Sequence, residues 1–182
     1  MSTLEYGIGK VLISREELKK RVLELGAEIS EKYKGKKLIC ICMLKGAVTF
    51  FSDLTRAIGP EVDVRFDSLT ASSYGSSTES SGNVNIKSDL SNDIRGEHVL
   101  IVEDILDTGI TLSKLCPMLL KREPESLEIC VLLNKAERRR VEVDAKYIGF
   151  TIPDEFVIGY GLDYAERFRN LPDICVAVPL ES

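Results

Sequence analysis

The sequence predicts an α/β fold in which a mainly parallel, twisted sheet is flanked by helices. Three short segments, at residues 38–43, 99–104 and 129–134, consist mainly of a continuous apolar run and are typical of strands that are covered on both faces. Segments with a helical pattern alternate with these runs, which favours a parallel sheet. Because ligands of such sheets bind beyond the carboxyl ends of the strands, the residues that follow each run are the candidates for function.

Three helices are predicted between the strands. The first begins at Ser14, where Ser14-Arg15-Glu16-Glu17 is a capping-box pattern, and Gly35 is a plausible terminator. Its apolar face consists of Leu18, Val22, Leu25 and Ile29. The second helix runs from about residue 48 to residue 58. The third begins at about Thr111 and contains Pro117, which is expected to kink it.

The remaining strands are predicted from shorter patterns. Val62, Val64 and Phe66 alternate as in a half-buried strand, and a returning strand is expected near residues 84–86. Between them, residues 72–82 are almost all small and polar, which predicts a long mobile loop. Further strands are predicted at residues 147–150, 156–160 and 174–178.

Composition limits the classes of function. The chain has 182 residues and a formal net charge of −5, which argues against general binding to nucleic acid or to an anionic membrane. No apolar run spans a bilayer and the start lacks signal-peptide features, so a cytoplasmic location is expected. The five cysteines are predicted to be reduced, since their number is odd and most lie in apolar runs. His98 is the only histidine and is interpreted as a surface residue, which argues against Ser-His or Cys-His catalysis.

The segment from Val99 to Leu112 has the clearest chemical signal. Glu103 and Asp104 come at the end of a buried strand, and residues 107–111 (Asp-Thr-Gly-Ile-Thr) lead into a helix. Free backbone N–H groups at a helix N-terminus suit a phosphate group. Two carboxylates beside them suit ribose hydroxyls or a hard cation such as Mg²⁺. Neither a P-loop nor a dinucleotide-binding fingerprint is present.

This segment resembles the signature of the type I phosphoribosyltransferases. Four further segments resemble the hypoxanthine-guanine branch of that family, and together they extend from about Lys37 to Arg169. They are Leu44-Lys45-Gly46, Ser73-Tyr74, Lys135, and Phe156 to Tyr164 with Phe168-Arg169. One departure is Ile110, where well-known members often carry Lys, so fewer donors to the phosphate are expected there.

The resemblance implies transfer of a phosphoribosyl group, with Mg²⁺, from phosphoribosyl pyrophosphate to a 6-oxopurine base. The products would be a purine nucleotide and pyrophosphate. Asp107 is then the candidate general base, and Glu103 and Asp104 hold the ribose hydroxyls directly or through the metal. The 5′-phosphate would lie on residues 107–111, that is on Asp107, Thr108, Gly109, Ile110 and Thr111.

The resemblance also assigns the pyrophosphate and purine contacts. Pyrophosphate would be bound by Lys45, Gly46 and Arg169. The purine would be contacted by Lys135, Phe156, Val157 and Asp163, and Asp163 could also face a second Mg²⁺. Lys135 would donate to the 6-oxo oxygen, which should exclude adenine. Ser73 and Tyr74 would belong to a closing lid.

The resemblance implies one phosphoribosyltransferase domain over residues 1–182. Its core would cover residues 37–135, and a small hood would form from residues 1–36 and 150–182, with residues 72–82 as the lid. A homodimer or homotetramer is expected.

Three alternatives remain open. The acceptor could be another base, such as xanthine or adenine. The chain could be a non-catalytic regulator that senses phosphoribosyl pyrophosphate, although it lacks a basic face and retains Asp107. A plain interaction domain would leave the phosphate-binding pattern unexplained. Beside Lys135, the cluster Arg138, Arg139 and Arg140 is interpreted as solvated surface.

Overall fold

A computed structural model describes residues 5–72 and 85–180 of the chain. Its helices are α1 (Arg15–Tyr33), α2 (Val48–Ala57) and α3 (Ile110–Leu120), with one short 3-10 turn at Ala136–Arg138. Its strands are β1 (Tyr6–Ile13), β2 (Lys37–Met43), β3 (Asp63–Ser72), β4 (Asn85–Ser88), β5 (His98–Leu106), β6 (Ser126–Asn134), β7 (Tyr147–Thr151), β8 (Val157–Ile158) and β9 (Ile174–Pro179). The predicted lid residues Ser73 and Tyr74 lie outside the described residues.

The large sheet has six strands in the order β4-β3-β2-β5-β6-β7. All neighbours run parallel except β3 and β4, which are antiparallel. The three predicted apolar runs form its centre as β2, β5 and β6, with Ile39 opposite Val99 and Ile101 opposite Ile129. Their side chains are buried because helices cover the sheet, so the predicted fold class is confirmed.

Helix α1 begins with the predicted capping box. The Ser14 side chain accepts a hydrogen bond from the N–H of Glu17, and the Glu17 carboxylate accepts one from the N–H of Ser14. The apolar face of the helix is buried in the main core. Arg21 on the same helix donates hydrogen bonds to the carbonyls of Ile148 and Gly149 in β7. Helix α1 therefore belongs with the large sheet.

A second sheet joins the two ends of the chain, in the order β1-β9-β8 with antiparallel pairing. Of the described residues 5–36, strand β1 is the part that pairs in this small sheet. The hood expected from residues 1–36 and 150–182 stays a prediction. The sequence did not reveal β1, because Gly7 and Gly9 weaken its strand pattern. Backbone pairing with the strongly apolar β9 stabilises β1 as a strand, although the β1 sequence alone has a weak strand pattern.

Two local expectations differ from the structure. The strand predicted at residues 156–160 is only two residues long, because Gly159 and Tyr160 have φ values of 99° and 51°, outside the extended region. His98 is not a surface residue. It is half-buried at the start of β5, and its Nδ1 lies 2.7 Å from Ser126 Oγ.

The cysteines are all free thiols, as predicted. Four are buried, Cys116 is half-buried, and burial raises the pKa of Cys40 and Cys42 to about 12. Within residues 5–72 and 85–180, no cluster of three or more His, Cys, Asp or Glu side chains forms a ready metal site. None of the described helices has both the length and the apolarity that a membrane crossing requires.

Candidate active site

A cavity of about 350 Å³ lies at the carboxyl ends of β2 and β5, beside the N-terminus of α3. This is the position that open α/β sheets use for ligands. Three separated parts of the sequence meet there, namely the loop after β2, the segment 103–112, and the C-terminal residues Asp163 and Arg169. The predicted phosphate, ribose and pyrophosphate residues that line it are Lys45, Gly46, Glu103, Asp104, Asp107, Thr108, Gly109, Thr111, Asp163 and Arg169.

The N-terminus of α3 is shaped to receive an anion. Its N-cap is Gly109, with φ 81°, and no side chain caps the helix there. A Cβ at this position would overlap the carbonyl oxygen of Val141, so the residue needs both the left-handed conformation and the space of glycine. The carbonyl of Thr108 accepts hydrogen bonds from the N–H groups of Arg140 and Val141 and holds the turn in place. The first amides of the helix are thus directed at the cavity.

Ile110, the departure from the family pattern, is the first residue of α3. Its N–H lies 3.4 Å from Thr108 Oγ1, a long and weak hydrogen bond. Only the backbone of this residue can act as a donor, which agrees with the expectation of fewer donors to a phosphate.

Two adjacent carboxyl groups, on Glu103 and Asp104, stand near the end of β5. The backbone N–H of Ile105 donates to Asp104 Oδ1 at 2.8 Å, and that of Asp104 donates to Glu103 Oε1 at 3.1 Å. Burial raises the pKa of both carboxyls above the usual range, and the charge of Asp104 raises that of Glu103 further. A group of positive charge that entered the cavity would relieve both effects.

The donor set of these carboxyls fits Mg²⁺ only together with a ligand. Mg²⁺ is commonly held by one or two carboxylates plus substrate phosphate oxygens and water, and does not need an all-protein cage. Glu103 and Asp104 supply two carboxylates on the cavity wall. Asp163 also lines the cavity, but its carboxylate is paired with Arg169 at 2.8 Å. Glu103 and Asp104 are therefore the better candidate ligands.

The loop after β2 brings backbone close to these acids. A Cβ at Gly46 would overlap Asp104 Oδ2, so only glycine allows the loop to approach β5 this closely. The Leu44–Lys45 peptide bond that precedes Gly46 is cis. Lys45 Nζ lies 3.2 Å from Glu166 Oε2, an exposed contact across the mouth of the cavity.

Arg169 is held firmly from one side. Its Nη1 donates to the carbonyl of Gly161 at 2.8 Å, and its Nη2 pairs with Asp163 and Glu166. Its buried Nε has no hydrogen-bond partner within the described residues. A buried donor without an acceptor is costly, so this atom is suited to an anionic ligand.

Asp107 shows the complementary feature. Its Oδ1 is buried, and the nearest cation is Arg138, whose Nε lies 2.9 Å away. The N–H of Arg138 is not directed at that oxygen, so among the described residues Oδ1 accepts no hydrogen bond. A free acceptor and the free donor of Arg169 thus line the same cavity.

The predicted purine contacts lie elsewhere, except Asp163. Lys135 is buried directly after β6, with its Nζ 3.6 Å from Asp154 Oδ1. Phe156 is 43% exposed, and its ring meets that of Tyr6 edge-on at 5.2 Å between centroids. It is therefore not a core aromatic. Val157 is buried in β8. These three residues do not line the 350 Å³ cavity.

Two residues near the site were missed by sequence interpretation. Arg138 and Arg140 are exposed, as interpreted from the sequence, whereas Arg139 is half-buried, and both Arg138 and Arg139 contact Asp107. Arg138 approaches Asp107 as described, and Arg139 Nε donates to the carbonyl of Asp107 at 3.0 Å. Their position after β6, at the ligand end of the sheet, was the available signal.

Comparison with known proteins agrees with this geometry. Residues 13–165 match the model of the phosphoribosyl transferase domain. A hypoxanthine phosphoribosyltransferase of Salmonella typhimurium is 48% identical over 174 residues, which cover 94% of this chain and 97% of the relative. A hypoxanthine-guanine phosphoribosyltransferase of Bacillus subtilis is 46% identical over 176 residues, which cover 97% of each chain.

Solved structures give the same result. The crystal structure of a hypoxanthine-guanine phosphoribosyltransferase of Bacillus anthracis matches with a TM-score of 0.88 and 42% identity, covering 96% of this chain and 99% of that one. A hypoxanthine phosphoribosyl transferase of Trypanosoma cruzi matches with a TM-score of 0.88 and 43% identity, covering 97% and 95%. The chain therefore belongs to the type I phosphoribosyltransferase family, in its hypoxanthine-guanine branch.

Proposed function

We propose that this protein transfers the 5-phosphoribosyl group of phosphoribosyl pyrophosphate to hypoxanthine, guanine or both, as a step of purine salvage. One observation carries the proposal. Within the part of the chain that the structure describes, Asp107 Oδ1 is a buried acceptor that is ion-paired with Arg138 but receives no hydrogen bond. Arg169 Nε is a buried donor without an acceptor, and both residues line the cavity. A ring N–H of a purine and a pyrophosphate oxygen are the groups that would complete them.

In the proposed reaction, the bond from the anomeric carbon to the pyrophosphate oxygen breaks while a bond to a purine nitrogen forms. The leaving pyrophosphate keeps the electron pair, and Asp107 accepts the proton that the purine loses. The 5′-phosphate rests on the backbone of residues 107–111 at the start of α3, where the helix dipole favours negative charge. Arg169 and the loop at Lys45 and Gly46 hold the pyrophosphate.

Phosphoribosyltransferases generally use Mg²⁺, and we include it in the proposal. When bound, it would offset the negative charge of the pyrophosphate oxygens and could also accept the ribose hydroxyls as neutral ligands. Glu103 and Asp104 are the proposed ligands. The raised pKa of both carboxyls supports this role, since burial has already removed much of the water that otherwise stabilises their charge.

The base would be recognised mainly by residues outside the cavity, together with Asp163, which lines it. Lys135 would donate from its ammonium group to the 6-oxo oxygen, and Phe156 would stack on the ring. The exposed fraction of Phe156, 43%, supports this role because the ring is available to a ligand. The Val157 backbone and Asp163 would contact the remaining edge.

The remaining parts of the proposal concern closure, assembly and location. Ser73 and Tyr74 would close over the site and exclude water.

A homodimer or homotetramer is supported by large apolar side chains that are exposed near β3 and α2, with Phe66 59% and Val48 47% exposed. Sedimentation would measure the assembly. The proposed location of the reaction is the cytoplasm.

A panel of purines tests the function. Labelled phosphoribosyl pyrophosphate is incubated with hypoxanthine, guanine, xanthine or adenine, each with and without Mg²⁺. The expected result is nucleotide formation with hypoxanthine, guanine or both, and only with Mg²⁺. Formation with adenine alone would reject the role of Lys135. No nucleotide with any base would reject the transferase function.

A further inference from the structure

Asp107 and Lys135 are connected by a chain of alternating charges. Arg138 Nε lies 2.9 Å from Asp107 Oδ1, and Arg138 Nη1 lies 3.5 Å from Asp154 Oδ1. The same Asp154 oxygen lies 3.6 Å from Lys135 Nζ. The order is therefore carboxylate, guanidinium, carboxylate and ammonium, and each charge faces one of opposite sign.

We propose that Arg138 and Asp154 are positioning residues that set the separation between the general base Asp107 and the purine-binding Lys135. This inference rests on the proposed function. Neither residue needs to touch the substrate, because each acts through the group that it holds.

Burial shows which end of the chain depends most on its partner. The side chain of Lys135 is only 8% exposed, whereas those of Asp107, Arg138 and Asp154 are 37%, 44% and 47% exposed. Exposed ion pairs contribute little to stability, so Arg138 is not needed to hold the fold together. A buried ammonium group does need a nearby carboxylate, and within the described residues Asp154 is the only one within 4 Å of Lys135 Nζ.

The backbone supports the same connection. The 3-10 turn that carries Arg138 begins directly after Lys135, and the N–H of Arg138 donates to the carbonyl of Lys135 at 3.2 Å. The N–H of Lys135 donates to the carbonyl of Leu106 at 3.0 Å. Arg139 donates to the carbonyls of Asp107 and Leu106. The loop after β6 and the loop after β5 are thus joined by backbone and by side chains.

The purine explains why this separation matters. On a 6-oxopurine, the 6-oxo oxygen and the ring nitrogen N7 lie side by side on one edge. An acceptor and a donor that read this edge must stand at a matching distance. A misplacement of reacting groups by about 1 Å can reduce a rate by about 100-fold. Arg138 and Asp154 therefore affect the use of the base. Their ion pairs are with the side chains of Asp107 and Lys135, whereas the 5′-phosphate is proposed to rest on backbone amides, so binding of phosphoribosyl pyrophosphate should change little.

The test is steady-state kinetics of Arg138→Gln with each substrate varied in turn. The expected kcat/KM for hypoxanthine falls about tenfold, with the KM for phosphoribosyl pyrophosphate within about twofold of wild type. Arg138→Lys should recover part of the lost kcat/KM. It keeps the positive charge, but an ammonium group cannot contact Asp107 and Asp154 at the same time as the guanidinium does. Arg140→Gln is the matched control, since Arg140 is an exposed neighbour with no ion pair to a described residue.

A second variant, Asp154→Asn, tests the other half of the chain. It should raise the KM for hypoxanthine and narrow the preference for hypoxanthine over adenine, because Lys135 loses the carboxylate that orients it. Its melting temperature, measured by calorimetry beside that of wild type, reports any general loss of structure.

The outcomes separate this proposal from the proposed function. Wild-type kinetics in both Arg138→Gln and Asp154→Asn would overturn the positioning role while leaving the transferase intact. An equal loss for both substrates in Arg138→Gln, with a lower melting temperature, would also overturn it, since that is the result of a structural role. A wild-type protein without transferase activity would reject the function itself.

Discussion

The phosphate side and the base side of the site are built in different ways. The phosphate side is a defined cavity, and half of it comes from the single segment 103–112. The base side draws on Lys135 after β6 and on the adjacent residues Phe156 and Val157 at the start of β8, and none of the three lines the cavity of the phosphate side.

This difference follows from the type of group that each side presents. In the proposed function, phosphate is bound by backbone amides at the start of α3, and a strand-turn-helix segment places those amides by itself. A purine is read by side chains, whose positions depend on the packing of neighbouring loops. The amides proposed to bind phosphate are therefore set by one local segment, whereas the position of Lys135 depends on its contact with Asp154 from a different loop.

The largest effect is expected where the two sides meet, at Asp107. Asp107→Asn keeps the shape of the side chain but removes the proton acceptor, so kcat should fall about 10²- to 10⁴-fold. The KM for phosphoribosyl pyrophosphate should change far less, because the backbone of the loop still binds the phosphate. Steady-state kinetics check both values. A near wild-type kcat would remove Asp107 from the mechanism.

A smaller effect is expected on the base side alone, at Lys135. Lys135→Gln loses a charged hydrogen bond of about 1.5–3 kcal/mol, so kcat/KM for hypoxanthine should fall about 10- to 150-fold. Activity with adenine should not fall, since its 6-amino group does not accept that bond. The ratio of the two kcat/KM values is the measurement. An unchanged ratio would show that base selection lies elsewhere.

Stacking of Phe156 on the purine should contribute less to catalysis than the hydrogen bond of Lys135. Phe156→Ala should raise the KM for the purine about tenfold, because an aromatic contact with a base contributes about 1–3 kcal/mol. Phe156→Tyr is the control, since it keeps the ring. The melting temperature should change little in either variant because the ring is 43% exposed. If Phe156→Ala has the wild-type KM, the ring belongs to the packing against Tyr6.

The phosphate side should show its effect in stability. Burial raises the pKa of Glu103 above its ordinary value of 4.5, so the folded state binds this proton more tightly than the unfolded state. The stability that this proton contributes is complete below about pH 4.5 and is lost as the pH rises through the raised pKa. Glu103→Gln cannot ionise, so the variant does not lose this stability as the pH rises. It should therefore melt at a higher temperature than wild type at pH 8, and each 1 kcal/mol of difference would appear as a shift of about 2–4 °C.

The pH series decides whether burial is the cause. The higher melting temperature of Glu103→Gln should disappear near pH 4, because the wild-type carboxyl is then protonated and uncharged, like the amide of Gln. Glu125→Gln, at an exposed position on β6's amino-terminal side, is the control and should match wild type throughout. A gain that persists unchanged at pH 4 would contradict the role of ionisation.

The sequence proposed most residues of the phosphate side, and their roles there stay predictions. Each of its signals is local: the buried run of β5, the acids at its end, and the glycine that begins α3. Such features depend on residues that are close in the chain, and the structure places Glu103, Asp104 and the loop from Asp107 on one cavity as predicted. The parallel core strands were also visible, because strands covered on both faces are apolar throughout.

The tertiary structure decided what depends on distant parts of the chain. Strand β1 forms because β9 pairs with it, and its own sequence does not show a clear strand pattern. The partners of Arg138 also became clear only in the fold, since Asp107 precedes it by 31 residues and Asp154 follows it by 16. Local sequence determines which backbone groups are free at a helix end or strand end. Which side chains meet across loops depends on how the chain closes, and that is a property of the whole fold.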